Sequence, residues 1–153
     1  MIMSNKTIFS CVFDSRIQLP ISYASKIWQV WCELDGWQRW DISLLGTSAI
    51  ENGLSLGKDF LVIPKSSPNP IAVCVTSFIE SIHFTTTAMT PFGSISFNHT
   101  LSPTTNQQFI ELIHSVCICT LSDAKCSPLL LNKFKRDISI SVENIACFVK
   151  ELM

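Results

Sequence analysis

Between Thr7 and Phe13 apolar side chains alternate, with Phe9, Cys11 and Phe13 on one face and Ile8 and Val12 on the other. That period-two pattern predicts a strand whose two faces are both partly covered. Pro20 stops it. Ser22 then stands as the N-cap of a helix reaching about Leu34, along which Ile27, Trp28, Trp31 and Leu34 recur at helical spacing. Gly36 ends that helix, and Trp37-Gln-Arg-Trp40 fits one further short helical turn before Asp41 leads out.

Strand patterns follow. Asp41–Ile50 is the first, and Gly53 and Gly57 punctuate the way to Lys58–Ile63. Ser66-Ser-Pro-Asn-Pro70 is a loop before Ile71–Ile79, and Ile82–Met89 is closed by the turn Pro91-Phe-Gly93. Ser94–Leu101 places Ile95, Phe97, His99 and Leu101 on one face and Ser94, Ser96, Asn98 and Thr100 on the other. A hairpin loop at Pro103–Asn106 leads to Gln107–Cys119, with Ile110, Leu112, His114, Val116 and Ile118 sharing its apolar face. Consecutive strands joined by short polar turns predict an antiparallel meander. From about Ser127 to Leu152, Leu130, Phe134, Ile138, Val142, Ile145, Val149 and Leu152 repeat every three or four positions, the pattern of a long helix, and Pro128 suits its first turn. With no internal repeat or linker, residues 1–153 are expected to form a single α+β domain.

Composition narrows the function classes. The 153-residue chain is 47% hydrophobic but only 15% charged, where an average soluble domain carries about 25%. A net charge of -1 offers no basic stripe to neutralise phosphates and argues against nucleic acid as a partner. The charge deficit is concentrated: from Ser66 to Ile110 the only formal charge is Glu80. A membrane span needs about 20 continuous apolar residues, and Pro91, Gly93, Asn98 and His99 interrupt this stretch. MIMSNKTIFS lacks the apolar core of a signal peptide, so the expected compartment is the cytoplasm. The cysteine count is seven, odd and without a pairing framework. Cys11, Cys74, Cys117 and Cys119 fall in strand patterns, Cys32 and Cys147 in helical ones and Cys126 in a loop or helix start. They read as reduced, small hydrophobes. Cys117-x-Cys119 offers half a metal site with no second Cys/His pair at ligand spacing, so no metal is expected. No Gly-x-Ser-x-Gly motif or glycine-rich phosphate loop is present, and no cofactor is expected. Glu33, Asp35 and Asp41 suit solvated capping and turn roles.

Pro20 ahead of Ile27-Trp28, then Asp35, Trp37, Trp40 and Asp41, resembles the SRPBCC superfamily. There an apolar-Trp pair on the first helix is followed about twelve residues later by a Trp before an acidic residue or Asn. Leu101-Ser-Pro103 ending a strand, the long hairpin partner after it, and Leu129–Leu152 match in order and spacing. Glycines are sparse, and Ile42 stands where the family places a proline. The resemblance spans nearly the whole chain and is nearest the polyketide cyclase/dehydrase-like branch. It implies a START-like helix-grip fold: a curved antiparallel sheet of six or seven strands around the C-terminal helix, with two short helices after the first strand. It further implies a cavity between sheet and helix that holds a lipid, polyketide or isoprenoid-like molecule. The alternatives are a cyclase/dehydratase using a pocket histidine as acid or base, and a protein-interaction module, with a homodimer among its forms.

His99 and His114 each replace an apolar side chain on an apolar strand face. They are the candidate catalytic or ligand-orienting groups, against the plainer reading of buried histidines bonded to a hydroxyl or carbonyl. With the hairpin turning at Pro103–Asn106, His99 would oppose Ile110 and His114 would oppose Ile95. That puts the pair ~13 Å apart at 3.3 Å per residue, too far to share a metal. His83 should point away from the cavity. The remaining candidate lining residues are Phe60, Val62, Phe78, Phe84, Thr86, Phe97, Leu112, Phe134 and Ile138, each of which could equally be core. The tryptophan pairs at three-residue spacing read as core, with Trp40 anchoring the short helix. Movement of the C-terminal helix, or of the loops Pro64–Pro70 and Pro91–Gly93, would admit a ligand.

Overall fold

The computed structural model describes residues 8–67, 69–91, 93–121 and 127–153. Thr7, Pro68, Phe92 and Cys126, on which parts of the sequence reading fall, lie outside them, as do the side chains of Ile8, Phe9 and Cys11. The strands are β1 (Ile8–Pro20), β2 (Leu44–Ser48), β3 (Asp59–Pro64), β4 (Ile71–Ile79), β5 (His83–Thr90), β6 (Gly93–Pro103) and β7 (Phe109–Leu121). Among the described residues these seven form one antiparallel sheet in the order β1-β7-β6-β5-β4-β3-β2. Every neighbour except β1–β7 is a simple hairpin or meander step, and the first strand closes onto the last. Register breaks between Leu44 and Gly46 and between Val75 and Ser77 mark bulges, which bend a strand and add twist.

Two helices cover the inner face. α1 (Ala24–Cys32) buries Ile27, Val30 and Trp31. The long C-terminal helix, α2 (Pro128–Leu152), begins where Ser127 Oγ accepts from the Leu130 amide at 3.2 Å, with Pro128 in the first turn. Its buried stripe is Ile138, Ser141, Val142, Ile145, Ala146 and Val149, and it packs against β1 and β7. No described helix is long and apolar enough to cross a membrane.

Several local expectations change. β1 runs on to Pro20, because Asp14 to Leu19 continues the alternation, and its outer face is open: Val12 is 63% exposed. Ser22 is not an N-cap. It lies within a single 3-10 turn, Ile21–Tyr23, and α1 starts two residues later behind Tyr23 with no side-chain cap. The Ile21 amide donates to the Gln108 carbonyl at 3.0 Å, and this tether holds the chain in the turn before the helix can begin. The short helix after α1 spans Leu34–Arg39.

The largest correction concerns the β6–β7 hairpin. β6 continues through Pro103, whose missing N–H is tolerated at a strand end. The turn is Thr104–Gln108, closed by the Thr104 amide on the Phe109 carbonyl at 3.0 Å and by Gln107 at φ 56°. Asn106 Oδ1 accepts from Thr104 Oγ1 and the Gln108 amide. Shifting the centre of a hairpin by two residues shifts its register by four. His99 therefore faces His114 directly, and Ile95 faces Ile118.

The outer face explains the missing charge. Thr76 bonds Thr87 and Thr87 bonds Ser96, each at 2.8 Å, across three strands. Alongside, Thr85 Oγ1 donates to Asn98 Oδ1 at 2.6 Å, so it accepts from His83 Nε2, and His83 Nδ1 accepts from Thr100 Oγ1 at 2.7 Å. Neutral side chains satisfy one another there, as cross-strand hydroxyl pairs can. His83 points away from the cavity side, as its alternation implies.

Gly93 marks the tightest backbone approach, with φ +150° where β6 pairs with Thr120 of β7. A Cβ there would be driven into the Cys119 carbonyl oxygen, which is backbone and cannot swing aside. Gly93→Ala is expected to destabilise by about 2 kcal/mol or more. Chemical denaturation of the purified variant checks this, and an unchanged midpoint would refute it.

Candidate functional site

The core is parted rather than continuous. One apolar cluster gathers α1, the short helix and the far half of the sheet, including Trp31, Trp37, Trp40, Phe60, Phe84, Leu101 and Leu112. A second, smaller one joins Ile95, Val116, Ile118 and Ile138, with Phe97 and Phe134 packed on it. Between them lies a cavity of about 230 Å³.

Its walls come from every layer of the fold. Trp37 and Trp40 of the short helical segment and its exit form one side, with Leu44, Val62 and Pro64 from β2 and β3. Ala88, Ile95, Phe97, His99 and His114 line it from β5, β6 and β7, and Phe134, Ile138 and Ser141 of α2 cover it. Asp41, Ser66, Ser67, Lys133 and Asp137 add polar edges.

The sequence candidates divide accordingly. Val62, Phe97, His99, His114, Phe134 and Ile138 border the cavity. Phe60, Phe78, Phe84, Thr86 and Leu112 do not; aromatic packing draws the three phenylalanines into the larger cluster or against it, and Leu112 and Thr86 are buried between neighbouring strands. Phe60 meets the Trp37 ring edge-on at 5.4 Å. The β4 bulge turns Phe78 towards Trp28, at 5.8 Å. Phe84 is fully buried and stacks on His99, and Leu112 is fully buried between Leu101 and Ile17 on the sheet. Thr86 is buried between Val75 and Phe97.

His99 and His114 are the polar centre. Their rings lie 4.7 Å apart, edge to face, which overturns the ~13 Å separation expected from the misplaced hairpin turn. Phe84 stacks on His99 at 4.2 Å with an interplanar angle of 4°, and Trp40 lies 6.0 Å from His99 and 5.6 Å from His114. His114 Nδ1 is 2.8 Å from Ser141 Oγ, which ties β7 to α2. Among the described residues no group of three or more His, Cys, Asp or Glu is placed to hold a metal ion. Cys117 and Cys119 stand on one strand face with sulfurs 3.9 Å apart.

Burial sets the charge state. His114 is 3% exposed and loses basicity through desolvation, down to a pKa of about 3. His99 is pushed well below the ordinary value by burial first and then by its neighbours His114 and His83, with the Phe97 and Phe84 backbone opposing weakly. Both imidazoles are therefore neutral at physiological pH. His99 Nδ1, His114 Nε2, Trp40 Nε1 and Trp31 Nε1 are buried without a hydrogen bond of good geometry, whereas Trp37 Nε1 donates to the Trp31 carbonyl at 2.8 Å.

The polar edge differs in kind. Lys133 and Asp137, one turn apart on α2, are paired at 3.1 Å. Asp41 accepts from the Ser43 amide at 3.0 Å and from Ser43 Oγ at 2.6 Å. Burial nonetheless raises its carboxyl, and Asp137 pushes the same way. Sequence reasoning gave Asp41 a solvated turn role; these bonds fill the turn part, but its carboxyl is desolvated at the cavity rather than solvated. Sequence reasoning missed Ser141, although a serine three residues after Ile138 on an otherwise apolar helical stripe was a readable signal of a buried polar partner.

No family model matches the sequence, and no curated protein does. Solved structures do resemble the fold. Ara h 8.0201 superposes with a TM-score of 0.69 at 14% identity, covering 94% of this chain and 99% of its own. XoxI from Bacillus cereus gives 0.70 at 12% identity, covering 92% and 96%. The chain thus has the SRPBCC-type, Bet v 1-like helix-grip fold: seven antiparallel strands, a short helix after the first and a long C-terminal helix.

Neutral burial of two histidines makes stability depend on pH. Between the unfolded value of 6.5 and the folded value of about 3, the unfolded chain binds a proton at His114 and the native one does not. Stability is therefore full above the upper value and falls with decreasing pH, by about 1.4 kcal/mol per unit for each such histidine. His99 adds to the loss, His83 adds less, and the raised Asp41 carboxyl opposes it in part. Urea unfolding at pH 7, 6 and 5 should show the decline before ordinary carboxylates titrate. A flat profile across that range would contradict neutral burial.

Proposed function

We propose that the protein binds a small hydrophobic molecule in the cavity between α2 and the inner face of the sheet. The observation that carries this is the parted core: two apolar clusters stop short of each other around about 230 Å³ walled by Trp37, Leu44, Ile95, Phe97 and Ile138. Close packing is the norm in protein interiors, and a void of this size forfeits contacts unless something fills it. The volume also bounds the ligand. A dry apolar cavity of about 150 Å³ holds benzene, whereas drug-sized sites run from about 300 Å³ upward. A one- or two-ring body fits, and a diacyl lipid does not. An aromatic body burying about 200 Å² gains ~5 kcal/mol at roughly 25 cal/mol per Å², before the costs of association.

Sequestration or carriage suits the site better than acid–base catalysis. A proton acceptor works best with a pKa near the operating pH, and His114 stays neutral down to about 3. We place the protein in the cytoplasm, where the Cys32, Cys74, Cys119 and Cys147 thiols stay reduced.

Native mass spectrometry of freshly purified protein, with organic extraction and a titration of apolar aromatic probes, tests the reading. A stoichiometric hydrophobic adduct or saturable probe binding is expected. Ala88 borders the cavity, and Ala88→Phe should fill it and weaken binding about tenfold or more. A bare mass with no probe uptake by the native chain would refute the proposal.

A further inference from the structure

We propose that the inner end of the cavity is a hydroxyl-recognition subsite, where His114 Nε2 accepts from a neutral alcohol or phenol and Trp40 Nε1 donates to the same oxygen. This rests on the reading of the cavity as a ligand site and names the chemical class it selects.

The argument is a count of protons. Ser141 has one hydroxyl hydrogen, and we assign it to the Ile138 carbonyl one turn back at 2.9 Å. Towards His114 the same oxygen can therefore only accept, so the proton of the neutral imidazole sits on Nδ1, across the 2.8 Å contact. Nε2, on the far edge of the ring, is left as a bare lone pair. That atom is buried without a partner, and His114 borders the cavity. Trp40, 1% exposed, borders the cavity too, and its ring lies 5.6 Å from that of His114. Its Nε1–H is a donor and nothing else, and it is equally unpartnered.

One acceptor and one donor, on rings 5.6 Å apart that both border the cavity, define what completes them. A hydroxyl donates once and accepts at the same oxygen, so it satisfies both. A ketone satisfies Trp40 and leaves the His114 lone pair facing another. A carboxylate brings lone pairs against Nε2 and a charge into an apolar wall, and an ammonium brings charge with no acceptor for Trp40. Leaving a buried partner unsatisfied is the costly outcome, so discrimination against ligands lacking the hydroxyl should exceed the gain of a single exposed hydrogen bond. Ser141 acts as a positioning residue: it does not touch the ligand oxygen but decides which nitrogen of His114 carries the proton.

The test compares 2-naphthol with 2-methylnaphthalene, which has the same outline without the hydroxyl, and with 2-naphthoate, each titrated into the full-length protein at pH 7. The expected order is naphthol tightest, by about tenfold over methylnaphthalene, with naphthoate weakest. In His114→Phe the naphthol-to-methylnaphthalene ratio should fall to about one, whatever the two affinities become. In Ser141→Ala the ratio should fall several-fold, and this variant carries the test if His114→Phe does not fold. Equal binding of naphthol and methylnaphthalene by the native protein overturns the subsite while leaving the cavity reading intact. It would mean that a buried water, not a ligand, serves these atoms. Tightest binding of naphthoate overturns it in favour of a charged anchor. Failure of all three to bind overturns the subsite together with the proposed function.

Discussion

Two imidazoles stand side by side on the neighbouring strands β6 and β7, and both must be buried without charge. That condition organises much of the inner face. A protonated ring at either position would sit 4.7 Å from its neighbour in a wall of tryptophan and phenylalanine, where desolvation opposes the charge, joined at His99 by repulsion from His114 and His83. Phe84 stacks flat on His99, Trp40 meets both rings, and Ser141 on α2 lies within hydrogen-bond distance of His114 Nδ1 at 2.8 Å. The histidines also stand where the apolar clusters part. Side chains that carry lone pairs and N–H groups cannot close a core as isoleucine or leucine would, and the cavity opens beside them.

The two faces of the sheet handle polarity by opposite means. Outside, hydroxyls and amides on β4, β5 and β6 pair laterally, so a long stretch of chain with a single formal charge still leaves few polar groups unsatisfied. Inside, polar atoms are few, and several have no protein partner at all. An inner face that is apolar except at one end, with charged groups kept to the Asp41, Lys133 and Asp137 edge, suits a neutral ligand with one polar substituent.

Much of the fold was legible because its signals are local. The alternation along Ser94–Leu101 and Gln107–Cys119 placed His99 and His114 on the inner face, and β6 and β7 have that parity. The helical stripe from Leu130 to Leu152 marked α2 within a residue of its start. What local pattern could not supply was register. Pro103 and Asn106 both look like turn residues, yet the strand runs through the first and the turn centres beyond it. Parity survives a four-residue slip because four is even; distance does not. The bulge in β4 carried no sequence mark, yet it shifts the alternation after Val75 so that Phe78 comes opposite Phe84 and against Trp28. Ser22 looked like a cap until the tether from Ile21 to Gln108, across the chain, set the helix start.

By itself the sequence determined which segments are strands and helices, which of their faces are apolar, and which two histidines break the inner face, since periodicity and side-chain chemistry are properties of neighbouring residues. Tertiary structure decided that those histidines touch, that Ser141 reaches His114, and that the void falls between Ile95 and Trp37 rather than around Phe60 or Leu112. These outcomes depend on where a turn closes and how three layers of side chains share volume, and neither quantity is written in the spacing of any one segment.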